Sequence, residues 1–82
     1  MASVEHDALR WRCRRGMLEL DILLGHFLET GYELLDSKGK ESFQRLLEEG
    51  DDRLQAWLLE AEQPDDGGLA DVAARIRCTA TD

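Results

Sequence analysis

The sequence predicts an all-α fold, a small bundle of about five short helices. Apolar residues recur at helical spacings of three and four, and no stretch shows the alternation of apolar and polar residues that a β-strand needs. Glycines, acidic residues and a single proline separate the periodic segments. Because 82 residues suffice for one hydrophobic core and not for two, we expect a single helical domain over residues 1–82.

The first two predicted helices lie on either side of a basic segment. Residues 4–13 form the weaker helix and residues 17–30 the stronger one. Gly31 is predicted to end the second helix in the left-handed conformation, which glycine adopts without a Cβ clash. The faces expected in the core are Val4, Ala8 and Trp11 on the first helix and Met17, Leu20, Leu24, Phe27 and Leu28 on the second.

Two further helices are separated by a tight turn at Gly50. The third is predicted over residues 38–49, and the fourth begins directly after the glycine. Candidate N-cap residues are Asp36 and Ser37 for the third helix and Asp51 or Asp52 for the fourth. The apolar stripes are Phe43, Leu46 and Leu47 on the third helix and Leu54, Trp57, Leu58 and Ala61 on the fourth.

A short final helix follows the linker at residues 62–68, EQPDDGG, whose proline and glycines interrupt the helical pattern. Its apolar stripe is Leu69, Val72, Ala73 and Ile76. Helices of this length do not persist alone in water, so the packing of the stripes must stabilise them. We expect Phe27, Phe43 and Trp57 to anchor the core.

The charge distribution favours a protein partner over a nucleic acid. A formal net charge of −8 opposes binding to a phosphate backbone. Half of the eighteen acidic residues lie between Glu48 and Asp71, whereas four of the ten basic residues lie between Arg10 and Arg15. The molecule is therefore polarised, and a partner can sense its orientation from charge.

No apolar run approaches the ~20 residues that a membrane span needs, and the N-terminus lacks the apolar core of a secretory signal. We therefore expect a cytoplasmic protein that does not insert into a membrane. Cys13 and Cys78 lie in no spacing typical of zinc or redox sites, and in a cytoplasm both are expected to stay reduced.

Candidates for catalysis or metal binding are few. Glu19, Ile22, His26 and Glu29 share a face of the second helix, and two carboxylates with an imidazole can do acid–base chemistry. No nucleophile accompanies them, so we interpret this face as solvated or partner-facing. The acidic run at residues 48–52 lacks the ligand spacing of a calcium loop, and we predict no metal site there.

The segment CRRGMLELD, residues 13–21, has both a structural and a binding interpretation. Arg14 and Arg15 can interact with the negative end of the first helix, Gly16 can supply its C′ turn, and Glu19 lies near the start of the second. One basic residue suffices for such a cap. Because arginine binds carboxylates and carbonyls through a planar fork, and glycine lets another backbone approach closely, the surplus suggests a protein-binding site.

The order Arg15-Gly16-Met17-Leu18-Glu19 resembles the RGxxE signature of the bacterial succinate dehydrogenase assembly factors called SdhE or YgfY. The resemblance extends over about residues 10–60, which makes it far more specific than the five residues alone. Further matching positions are Trp11, Cys13, Arg14, Phe27, Tyr32, Phe43, Arg45, Leu46, Leu47, Glu48, Asp51, Leu54, Trp57 and Leu58.

This resemblance implies a helical chaperone that binds the flavoprotein subunit of succinate dehydrogenase, and of fumarate reductase, and promotes covalent attachment of FAD to it. The factor would not be an enzyme and would hold no FAD tightly, since the client flavoprotein handles the flavin. It is expected to be a monomer when free. Arg15, Gly16 and Glu19 would contact the client, with Glu19 accepting hydrogen bonds or orienting Arg15, and surrounding contacts would come from Arg14, Asp21 and His26.

Two other classes of function stay open at this point. An antitoxin-like or regulatory protein-binding module would use the same surface without any role in flavinylation. An enzyme that uses His26 is a third interpretation.

Overall fold

Five helices make up the computed structural model, which describes residues 4–80 and the side chains of residues 7–79. They are α1 (Val4–Arg12), α2 (Leu18–Thr30), α3 (Ser37–Leu46), α4 (Asp51–Leu58) and α5 (Gly67–Ala80), with a 3₁₀ turn at Tyr32–Leu34 between α2 and α3. No strand occurs within residues 4–80. The all-α class and the helix count are therefore confirmed. None of the helices in this range is long and apolar enough to cross a bilayer.

The core is built around α2, which contacts α1, α4 and α5. Leu20, Leu24 and Leu28 are fully buried along its inner face. Phe27 and Tyr32 both pack against Phe43, with ring centroids 5.4 Å apart in each pair, an aromatic arrangement that adds to the stabilisation from burial. The predicted anchors Phe27, Phe43 and Trp57 are all buried, as are the four apolar residues predicted for α5. The prediction that the final helix is short was wrong, because α5 spans 14 residues and begins at Gly67, within the predicted linker.

The face predicted for the first helix was wrong. Trp11 is 72% exposed and Ala8 is also exposed, whereas Leu9 and Cys13, four residues apart, point into the core. Positions four apart lie on the same side of a helix, so burying Leu9 and Cys13 turns Trp11 outward. The side chain of Val4 lies outside those described.

The third helix ends three residues earlier than predicted, at Leu46. The N–H of Leu47 still bonds four residues back, to the Phe43 carbonyl, but those of Glu48 and Glu49 bond to carbonyls only three residues back, so the chain leaves the α-helical pattern before Gly50. At the other end, the prediction of Asp36 as N-cap is confirmed, because its Oδ1 accepts the N–H of Gly39 at 2.8 Å.

The start and end of α4 also differ from the prediction. Gly50 occupies the N-cap position, so Asp51 and Asp52 are the first helical residues instead of the cap. The helix ends at Leu58, and the exposed Ala61 lies beyond it with a φ of 60° instead of on the apolar stripe. Acidic side chains in a first turn still interact favourably with the positive end of the helix.

Gly31 follows α2, but not in the predicted left-handed conformation. Its φ is −121°, and its N–H donates to the Phe27 carbonyl at 2.7 Å. A Cβ placed on Gly31 would lie 2.5 Å from Cε1 of Phe27. Glycine is therefore required here because the backbone passes directly over a core aromatic ring.

Candidate functional site

The side chain of Arg15 joins the loop between α1 and α2, residues 13–17, to the turn between α3 and α4. Its Nη1 donates to the Leu47 carbonyl at 2.7 Å and its Nη2 to the Glu49 carbonyl at 2.6 Å. Its Nε donates to Oδ1 of Asp51 at 2.7 Å. With 16% of its side chain exposed, Arg15 caps the carbonyl end of α3 from a distant part of the chain.

Two more contacts fix the loop itself. Nη1 of Arg15 also donates to the Arg12 carbonyl at 3.2 Å, and the backbone N–H of Arg15 donates to Oδ1 of Asp21 at 2.6 Å. The Asp21 carboxylate thus ties the loop to the first turn of α2. The loop is held at α1, at α2 and at the α3–α4 turn.

The surplus of arginines is explained mainly by contacts within the chain. Besides Arg15, Arg12 donates to the Gln44 carbonyl at 3.0 Å, and Arg10 pairs with Glu29 at 2.7 Å. Arg14 differs, because its guanidinium lies over the Trp11 ring, 5.9 Å from the centroid, and it forms no ion pair with a described residue. Of the four clustered arginines, Arg14 is the one whose side chain forms neither an ion pair nor a hydrogen bond with the described residues.

Gly16 lies in the middle of this loop with a φ of 83°, a region that favours glycine. It does not form the C′ turn of α1, which already ends at Arg12. A Cβ added to Gly16 would meet nothing within 4 Å, and the residue is exposed. The fixed loop therefore presents bare backbone to solvent, as a surface approached closely by another chain requires.

Glu19 is exposed on the first turn of α2 and contacts no charged group among the described residues. The predicted pairing of Glu19 with Arg15 does not occur, because Asp51 orients the Arg15 side chain instead. The sequence predicted Asp51 as a candidate cap and as a position that matches the family, with no contact to Arg15. Its link to Arg15 spans 36 residues, a separation that no local pattern reveals.

The predicted outer face of α2 is exposed at Glu19, Ile22, His26 and Glu29, in agreement with its interpretation as solvated or partner-facing. His26 lies on that face, one helical turn or more beyond the loop. Within residues 4–80, no three His, Cys, Asp or Glu side chains come together in a way that could hold a metal ion.

Sequence reasoning missed an apolar groove between α1 and α2, adjacent to Gly16. Its exposed apolar side chains are Trp11, Leu18 and Ile22, and its volume is about 590 Å³. The other residues that line it are Arg10, Cys13, Arg14, Asp21 and Gly25. The sequence predicted Trp11 in the core, and the groove became evident only because the structure shows Trp11 exposed.

Cys13, at the base of this groove, is 2% exposed, and burial raises the pKa of its thiol from 9.0 to about 11 despite the nearby Arg15 and Arg12. At pH 8 the thiolate fraction is then about one in a thousand. We expect iodoacetamide at pH 8 to alkylate the exposed Cys78 of the native protein and to spare Cys13 until denaturant is added, as read by peptide mass spectrometry.

The raised pKa of Cys13 also makes the stability of the protein depend on pH. Above pH 9 the Cys13 thiol ionises more readily in the unfolded chain than in the native one, so stability should fall as the pH rises from 9 to 11. A Cys13→Ala variant should lack this part of the decline. Rapid alkylation of native Cys13 at pH 8 would contradict the burial.

Comparison with known proteins confirms the family resemblance that the sequence shows around Arg15. The model of the Sdh5 family, described as flavinator of succinate dehydrogenase, matches residues 7–80. The chain is 42% identical to the FAD assembly factor SdhE of Coxiella burnetii over 69 residues, 84% of each chain. It is 44% identical to the protein of the same name from Shewanella oneidensis, again over 84% of each chain. The chain therefore belongs to the family of succinate dehydrogenase flavinators.

Proposed function

We propose that this protein is an assembly factor that binds the flavoprotein subunit of succinate dehydrogenase and promotes its covalent flavinylation. Family membership supports the client and the process. The loop around Gly16 is the observation that supports particular residues as the binding site. Its bare backbone is exposed, and Arg15 and Asp21 fix its shape. Glu19 and Arg14, exposed on either side of the glycine, are the charged groups available to a client.

In this proposal the factor acts by positioning. A surface that binds the client better when flavin and acceptor residue are correctly arranged shifts the population toward that arrangement, and correct placement alone can lower a barrier substantially. The client holds the FAD and supplies the reacting groups, so the factor is not an enzyme. Asp21 contributes by shaping the loop, and His26 by contact at the far end of the same helix.

The proposal also covers a second client, the location of the factor in the cell and its oligomeric state. The flavoprotein subunit of fumarate reductase is a second client, the factor acts in the cytoplasm, and it is a monomer when free. A rigid loop of defined shape favours client binding because little conformational freedom is lost on association.

Deletion of the gene tests the function directly. We expect the denatured succinate dehydrogenase flavoprotein subunit from the deletion strain to lose most of its in-gel flavin fluorescence, and expression of the wild-type factor to restore it. Immunoblotting should show that the flavoprotein subunit itself is still present. Undiminished fluorescence at an equal amount of subunit would overturn the proposal and favour a regulatory module that acts elsewhere.

A further inference from the structure

The groove next to Gly16 is a continuous apolar surface. Trp11, Leu18 and Ile22 are 72%, 75% and 62% exposed, although each is a large apolar side chain. Leu18 and Ile22 are four residues apart and so lie on the same side of α2, facing Trp11 on α1 across the groove. Single exposed apolar residues are ordinary on protein surfaces, whereas a cluster of them commonly marks a site of interaction.

Positive charge borders this surface in a protein whose formal net charge is −8. The Arg14 guanidinium lies over the Trp11 ring and forms no ion pair with a described residue. Arg10 lines the groove as well but is paired with Glu29 at 2.7 Å, so Arg14 is the cation of the groove that is available to an occupant. The acidic residue there, Asp21, is half-buried and already accepts the N–H of Arg15 at 2.6 Å. Charge complementarity therefore favours an acidic occupant.

We propose that the groove binds a segment of the flavoprotein subunit that carries apolar side chains next to a carboxylate. This inference rests on the proposed function and adds a second contact region to the loop around Gly16. The apolar side chains would pack between Trp11 and the α2 residues, while the carboxylate would bind the fork of Arg14. Tryptophan and arginine are the residue types that contribute most often to binding energy when an interface covers them.

The first test is the affinity of the factor for the purified flavoprotein subunit prepared without FAD, measured by biolayer interferometry. Leu18→Gln and Ile22→Gln should each weaken binding about tenfold or more, which corresponds to about 1.4 kcal/mol. Glutamine keeps the helix propensity high, so these variants of exposed positions should unfold at the wild-type temperature. Leu34→Gln is the matched control, since Leu34 is 82% exposed and lies outside the groove.

The charge of the occupant is tested by reversal. Arg14→Glu should weaken binding about tenfold and reduce its dependence on salt, because an attraction between opposite charges is screened by ions. Arg53→Glu, at another exposed arginine outside the groove, should stay within about twofold of the wild-type affinity. Equal losses for Arg14→Glu and Arg53→Glu would show a general effect of net charge and would overturn the proposal.

The remaining outcomes distinguish a failure of the groove proposal from a failure of the proposed function. Wild-type affinity in both glutamine variants, together with a defect in Gly16 variants, would overturn the groove and leave the proposed function intact. Absence of a complex with the wild-type factor, together with normal flavinylation in the deletion strain, would overturn both. Sedimentation velocity that shows a dimer of the factor, dissociated by Leu18→Gln, would assign the groove to a second copy and overturn the proposal.

Discussion

Replacing Arg15 with lysine should lower the free energy of unfolding by about 2 kcal/mol. Lysine keeps the positive charge near Asp51, but a single ammonium cannot reproduce the planar fork that reaches the carbonyls of Leu47 and Glu49. Those carbonyls lie in the turn directly after α3 and would lose a charged donor whose side chain is largely buried. Urea denaturation followed by far-UV circular dichroism measures the change.

Arg53→Lys is the matched control for this prediction. Arg53 is 66% exposed and lies 3.9 Å from Glu49, an arrangement that contributes little to stability. The control should therefore unfold within about 0.5 kcal/mol of wild type. Equal stability of Arg15→Lys and wild type would mean that the bonds across the α3–α4 turn are not required in solution.

The contacts of Arg15 also show why sequence reasoning assigned it the wrong carboxylate partner. The motif of Arg15, Gly16 and Glu19, together with the ordered matches over about residues 10–60, identified the family. The expectation that Glu19 orients Arg15 came from their proximity in sequence. Besides the nearby Arg12 carbonyl, the partners of the Arg15 side chain lie 32 to 36 residues away, because α3 and α4 bring their shared turn against the loop. Tertiary packing decides which carboxylate reaches an arginine.

The helices could be predicted because apolar residues at helical spacing share one face, and that face is the one buried in the core. Phe27, Phe43 and Trp57 followed from that spacing, and all three are in the core. The first helix was the exception. It offered two possible faces with few apolar residues on either, and the tertiary contacts of Leu9 and Cys13 selected the face that leaves Trp11 exposed. The groove could therefore not be predicted from periodicity.

Substitutions at Gly16 should separate the conformation of the loop from its contact with the client. Alanine adds a Cβ that meets nothing within 4 Å, so its main cost is the left-handed φ of 83°, about 1–2 kcal/mol. Asparagine tolerates this conformation better than alanine does and should be the more stable variant. Arginine adds the same strain as alanine and a much longer side chain.

The expected loss of activity is therefore larger than the loss of stability alone would cause. Gly16→Asn should remain folded, with a free energy of unfolding within about 1 kcal/mol of wild type, because its polar side chain suits the left-handed region. It should nevertheless lower the rate of client flavinylation at least about tenfold, since the added side chain occupies the surface where a second backbone would approach. Gly16→Arg should abolish flavinylation.

Gly67→Asn provides the matched control for Gly16→Asn, since an added Cβ at Gly67 also meets nothing within 4 Å and the residue lies at the start of α5 instead of in the loop. Flavinylation of the flavoprotein subunit with FAD, followed by in-gel fluorescence over time, should proceed at the wild-type rate with this control. If Gly16→Asn is also fully active, the bare backbone at Gly16 is not a contact surface, and the glycine serves only the turn. If Gly16→Asn is folded and inactive while Gly67→Asn is active, the requirement is for the absence of a side chain, because the conformation alone is available to both glycine and asparagine.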